Sequence, residues 1–209
     1  LRVSHLDGAQ RNILHWAVQC CQPLEEIKRL IELGADIKKL DKNNHSPLHL
    51  AAEAGNVAIV KHLIDELQQN EGEAFLSEHV LQGNYIKIYA LIGPSSNKPL
   101  LLAAKEGHSQ IVELLLVHGA TIKDKSAYLT PLHFAAFRGD LNMVRLLLDK
   151  GANALASVGC RNPLQFAVEN DHPAVVAALA QHIATNHGSL LKTEAFQSMV
   201  TAFERKDEA

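Results

Sequence analysis

The sequence predicts an all-α solenoid of about six helix pairs, one degenerate, with short β-hairpin loops and a C-terminal capping helix. Three observations predict it. One phrase recurs five times, as NILHWAV at 12–18, SPLHLAA at 46–52, KPLLLAA at 98–104, TPLHFAA at 130–136 and NPLQFAV at 162–168. A Gly or polar turn and a second apolar stretch follow, as in GNVAIVKHLI, GHSQIVELLL and GDLNMVRLLL. The motif leucines Leu14, Leu48, Leu100, Leu132 and Leu164 are then separated by 34, 52, 32 and 32 residues, so three gaps are one repeat long. A fixed period of this length marks units that bury their apolar faces by stacking on one another.

Each element has a local cause. Asn12, Ser46, Thr130 and Asn162 precede the first helix, where a short polar side chain can cap exposed N–H groups. Lys98 at the same place cannot. The prolines that follow occupy the first turn, where a missing N–H costs nothing. Ala51/Ala52, Ala103/Ala104 and Ala135/Ala136 keep this helix thin, and Gly55, Gly107 and Gly139 break it. The second helix carries apolar residues at helical spacing, such as Leu141, Val144, Leu147 and Leu148. Gly34, Gly119 and Gly151 end it, as a left-handed C-cap requires. The repeats run approximately 7–40, 41–70, 94–124, 125–156 and 157–186. The long gap holds a degenerate repeat at 71–93, whose GNYIKIYALI overlays GNVAIVKHLI; a helical or strand-like insertion is the alternative, since YIKIYALI also suits a short strand. Residues 189–206 are expected to form the capping helix, with Leu191, Ala195, Phe196, Met199, Val200 and Phe203 on one face; a linker helix into a further domain is the other reading.

A period of about 33 residues opening on T-P-L-H-x-A is similar to the ankyrin repeat. The resemblance covers residues 7–182 and implies a protein-binding module, one array over 1–209, with no catalysis of its own. It further implies that the histidines at the motif position, His15, His49 and His133, hydrogen-bond within and between hairpin turns.

Composition narrows the partners. Hydrophobic content of 47% suffices for a core, and only 5% is aromatic, as narrow helix seams require. A net charge of −3 without a basic stripe disfavours nucleic acid, which needs a concentrated positive face. No apolar run approaches the roughly 20 residues of a membrane span. Three cysteines, two adjacent, make no disulfide framework, so a reducing, cytoplasmic setting is expected, as is a monomer without cofactor. The chain opens at Leu1 inside a hairpin lead-in, so it is expected to be a piece of a longer protein that could hold a catalytic domain.

Tempting chemistry is outweighed. The twelve histidines include three at the motif position, no more than one in any repeat and spaced too widely to share a metal. His62, His108, His118 and His182 are expected on the surface. Cys20 and Cys21 follow His15 closely, but no third group orients a nucleophile, and they are expected to replace the usual Gly turn. Gly93-Pro94-Ser95-Ser96 lacks the spacing and lysine of a phosphate loop. Trp16 is expected to pack into the stack.

The resemblance implies a concave groove lined by hairpin tips and first-helix ends. Its row runs Arg11, Gln19 and Cys20; Lys42, His45 and Glu53; Asn97, Lys105 and Glu106; Tyr128, Leu129, Phe137 and Arg138; Arg161 and Glu169. The partner-binding set expected is Tyr128, Leu129, Phe137, Arg138, Arg161, Glu169, Lys105, His45 and Glu53, with Tyr128, Leu129 and Phe137 as the buried centre and the charged members as rim. Alternatively, neighbouring hairpins cover the apolar members. Strong divergence between repeats is similar to ankyrin proteins that intracellular bacteria deliver into the host cytosol, and a eukaryotic adaptor fits equally. The alternative function is the targeting arm of a larger enzyme.

Overall fold

Four helices start at the same kind of residue in the computed structural model, which describes residues 5–69, 99–120, 122, 129–159 and 161–186. Asn12, Ser46, Thr130 and Asn162 are extended N-caps, and each makes a capping box with the residue three positions on. Pro47, Pro131 and Pro163 follow in the first turn. The packing divides the chain into two compact units, Leu1–Thr121 and Ile122–Ala209, described in turn.

The first unit holds α1 (Ile13–Gln19), α2 (Leu24–Glu32), α3 (Pro47–Glu53), α4 (Val57–Gln69), α5 (Pro99–Glu106) and α6 (Ser109–Val117). Inner helices α1, α3 and α5 pack in that order, while α2 lies on α4 and α4 on α6. The pair α3/α4 therefore touches α5/α6 directly. The degenerate repeat expected at 71–93 lies outside the described residues. In sequence the motif leucines of α3 and α5 are 52 residues apart; in space the two helices pack together.

The second unit holds α7 (Pro131–Arg138), α8 (Leu141–Asp149), α9 (Pro163–Glu169) and α10 (Pro173–Asn186). Helix α7 packs on α9 and α8 on α10, and each inner helix packs on its own outer helix. Among the described residues regular β structure is limited to one antiparallel bridge, Val158 with Arg161. The chain is an all-α repeat protein, and the C-terminal helix expected at 189–206 lies outside the described residues.

Cores repeat with the motif. Leu14, Leu132 and Leu164 are essentially sealed from solvent, as are Ala51, Ala52, Ala103, Ala104, Ala135 and Ala136. The outer helices contribute Ile27, Ile59, Ile111, Met143, Leu147 and Leu179. Truncating such a leucine to alanine costs about 2–5 kcal/mol, because the cavity left behind collapses only in part. The turns after the inner helices repeat too: Gly55, Gly107 and Gly139 have φ of 77°, 85° and 72°, and Cys21 and Asp171 take the same left-handed conformation at 52° and 56°. Cys21 thus stands where other pairs have glycine, as the sequence led us to expect.

The motif histidines are the second recurring device. His15, His49 and His133 are buried. Each accepts at Nδ1 the backbone N–H of its own N-cap residue, Asn12, Ser46 or Thr130, at 3.0–3.3 Å. His15 Nε2–H then donates to the carbonyl of His45 in the next pair, at 3.1 Å. His133 Nε2 faces the backbone of Arg161 and Ala156 but has no partner at bonding distance. Burial, above all, lowers the pKa of His15 and of His133 below 6.5.

Candidate functional site

The expected row is built from two positions per helix pair, eight residues apart: the residue before the N-cap and the last residue, or next to last, of the inner helix. The backbone brings them together, because the extended cap sends the first side chain back along the helix. Arg11 Nη1 donates to Gln19 Oε1 at 2.9 Å, and Arg161 Nη1 lies 3.3 Å from Glu169 Oε2. His45 and Glu53 take these places in the second pair, where the His45 ring stacks on His49 with centroids 5.7 Å apart. Lys105 takes one in the α5 pair, paired with Glu106 at 3.4 Å.

Leu129 and Phe137 take them in the α7 pair, where both are apolar. Phe137 is 52% exposed and Leu129 half-buried. Arg138, exposed, ends the same helix. The Arg161–Glu169 pair stands on the neighbouring α9 repeat, itself exposed. An exposed benzyl group here is unlike its counterparts Gln19, Glu53, Lys105 and Glu169. Tyr128 and Asn97 lie outside the described residues.

The first pair carries a cluster that sequence reasoning misplaced. Trp16 does not pack into the stack; it is 44% exposed. Its counterpart Phe166 meets His133 of the preceding pair edge-on at 5.5 Å, whereas no described helix pair precedes α1. The indole is covered instead by the Arg11 guanidinium, 4.0 Å from the ring centre, and donates Nε1–H to Asp7 Oδ2 at 3.1 Å. Asp7 also accepts the backbone N–H groups of Ala9 and Arg11 and pairs with the Arg11 guanidinium. The Arg11 N–H, first, then its side chain hold the Asp7 carboxyl below the usual carboxylate range. Asp41 repeats the turn, accepting from Asn43 and His45.

The four histidines expected on the surface, His62, His108, His118 and His182, are all half-buried. His108 lies over Gly55 and donates Nε2–H to the Glu53 carbonyl at 3.1 Å. His172 does the same over Gly139, to the carbonyl of Phe137 at 3.0 Å. A Cβ built on either glycine would stand 2.5 Å from the ring. These histidines tie the end of one inner helix to the next pair, and the signal for them was the residue directly after each left-handed turn. A Cys–His nucleophile does not form, because both ring nitrogens of buried His15 are committed to backbone partners. Among the described residues no group of three or more His, Cys, Asp or Glu could hold a metal ion.

Repeated helix pairs with buried cap histidines and left-handed turns define a stacked repeat protein. The family described as Ankyrin repeats (3 copies) matches residues 14–125, 76–156 and 100–189, and the chain belongs to that family. It is 30% identical over 120 residues to the human transient receptor potential cation channel subfamily A member 1, across 57% of this chain and 9% of the channel. It is also 30% identical over 112 residues to an ankyrin repeat protein of fowlpox virus (strain NVSL), across 48% of this chain and 16% of the viral protein. The chain thus spans a small part of these relatives' length. Ankyrin repeats are generally protein–protein interaction modules, and no described helix is long and apolar enough to cross a membrane.

Proposed function

We propose that this chain binds a partner protein through its row of inner-helix ends and hairpin exits, with Phe137 and Leu129 as the anchor and Arg138, Arg161 and Glu169 around it. The observation that carries this reading is the exposure of Phe137, 52%, at a position that is polar in every other described pair. Leaving such a side chain in water costs free energy that a partner recovers by covering it. In the first unit His45, Glu53 and Lys105 hold the same positions of their own pairs and are polar. The module acts without cofactor or catalysis, as a monomer, in the cytoplasm, or in host cytosol if a bacterium delivers it. A second reading makes the array the targeting or substrate-recruiting arm of a larger enzyme; the relatives it matches are themselves much longer than the array.

The test is capture of a partner by paired variants. Removing a buried anchor costs at least about 2 kcal/mol, while rim changes cost far less. Phe137→Ala with Arg138→Ala should weaken capture more than about tenfold. Helical circular dichroism should hold, since both side chains are exposed and the Phe137 carbonyl that His172 uses is retained. His45→Ala with Lys105→Ala should bind nearly as wild type. Loss of binding in the His45/Lys105 pair alone would overturn the assignment of the anchor.

A further inference from the structure

We propose that Cys20 and Cys21 are a vicinal dithiol that closes reversibly to a disulfide, making the turn between α1 and α2 sensitive to thiol–disulfide exchange. Both thiols are exposed and free. Adjacent α-carbons lie about 3.8 Å apart, so the sulfurs can meet without one helix moving against another. The placement has a structural reason. At Gly55 and Gly139 the equivalent left-handed residue lies under an imidazole of the next pair, and a side chain has no room. For Cys21 the corresponding residue of the next pair is Asn56, not histidine, and a thiol stands open to solvent.

The oxidant is a low-molecular-weight disulfide such as oxidised glutathione. One cysteine thiolate attacks it, forming a mixed disulfide and releasing one glutathione, which takes the proton. The second thiolate attacks the first cysteine's sulfur and releases the second glutathione. One S–S bond is exchanged for another, two S–H bonds move to glutathione, and two electrons leave the protein.

Closure cannot leave the turn as it stands. Ordinary bridges join α-carbons roughly 4.4–6.8 Å apart, so an adjacent pair makes a strained bridge of the readily reduced, regulatory kind. The reduced turn is held by Cys21 N–H on the Val18 carbonyl at 3.0 Å and Gln22 N–H on the Ala17 carbonyl at 2.9 Å, with Cys21 left-handed. The ring has to rotate that residue. One position earlier, Gln19 holds the Arg11 guanidinium that covers Trp16. Trp16 is the only tryptophan of the chain, so its fluorescence reads this corner alone.

The experiment uses the full chain carrying Cys160→Ser, titrated with oxidised glutathione. The expected product has lost two hydrogens and both reactive thiols, shows a shifted Trp16 emission, and reverts with excess reduced glutathione. Cys20→Ser and Cys21→Ser should each stop at one mixed disulfide. Accumulation of mixed disulfides on the two-cysteine chain, a disulfide between two chains, or no reaction would overturn the proposal. An unchanged Trp16 emission on ring closure would overturn its link to the turn.

Discussion

A motif histidine works as a neutral side chain with its two ring nitrogens assigned. Nδ1 must accept from the N-cap backbone, so the single proton sits on Nε2, where His15 uses it on the next hairpin. A second proton would remove the acceptor inside a buried site. Burial accordingly holds His15 and His133 below 6.5, and the sign of the pH effect follows. Above the unfolded value near 6.5 both states are neutral and stability from these groups is complete. As pH falls below it the unfolded chain takes up protons first, and stability drops until the folded histidines titrate as well. The last pair offers the control, since Gln165 Oε1 accepts the Asn162 N–H at 2.8 Å in the histidine's place. Urea midpoints measured from about pH 8 to about pH 5 should fall less for His133→Gln than for wild type. Equal falls would show that other groups titrate.

At the level of elements, the seam between α7 and α9 depends on His172 lying flat over Gly139. Gly139→Ala forces a Cβ into a left-handed site, costing roughly 1–2 kcal/mol, and displaces a ring whose hydrogen bond is worth about 0.5–1.5 kcal/mol. Made in a His172→Ala background, the same substitution should cost only the backbone part. A thermal-denaturation double-mutant cycle checks this, and additive costs would mean that ring and glycine are not coupled. Most of this architecture was legible: prolines, capping residues and turn glycines act through their own backbones, so their places can be read one residue at a time. Trp16 and His108 could not be read that way, because burial depends on what packs alongside. The same motif position is covered at Phe166 and open at Trp16. In the candidate row the residue types were readable, but the ties of Arg11 to Gln19 and of Arg161 to Glu169 needed the extended caps in place.

For the molecule as a whole, the informative feature is the contact of α3 with α5. Between an outer helix and the next described inner helix lie 14 residues after Glu32 and 13 after Asp149, but 29 after Gln69. The flanking pairs nevertheless meet, with His108 reaching the Glu53 carbonyl. Replacing residues 70–98 by a connection of ordinary hairpin length should therefore leave α3 packed on α5, and the melting temperature should stay within a few degrees. Collapse of the fold would show that the segment supports the seam. The same contact makes this junction a natural graft point. Because α3 and α5 hold each other by their own surfaces, a foreign loop, an epitope or an entire reporter domain placed between Gln69 and Pro99 need not part them.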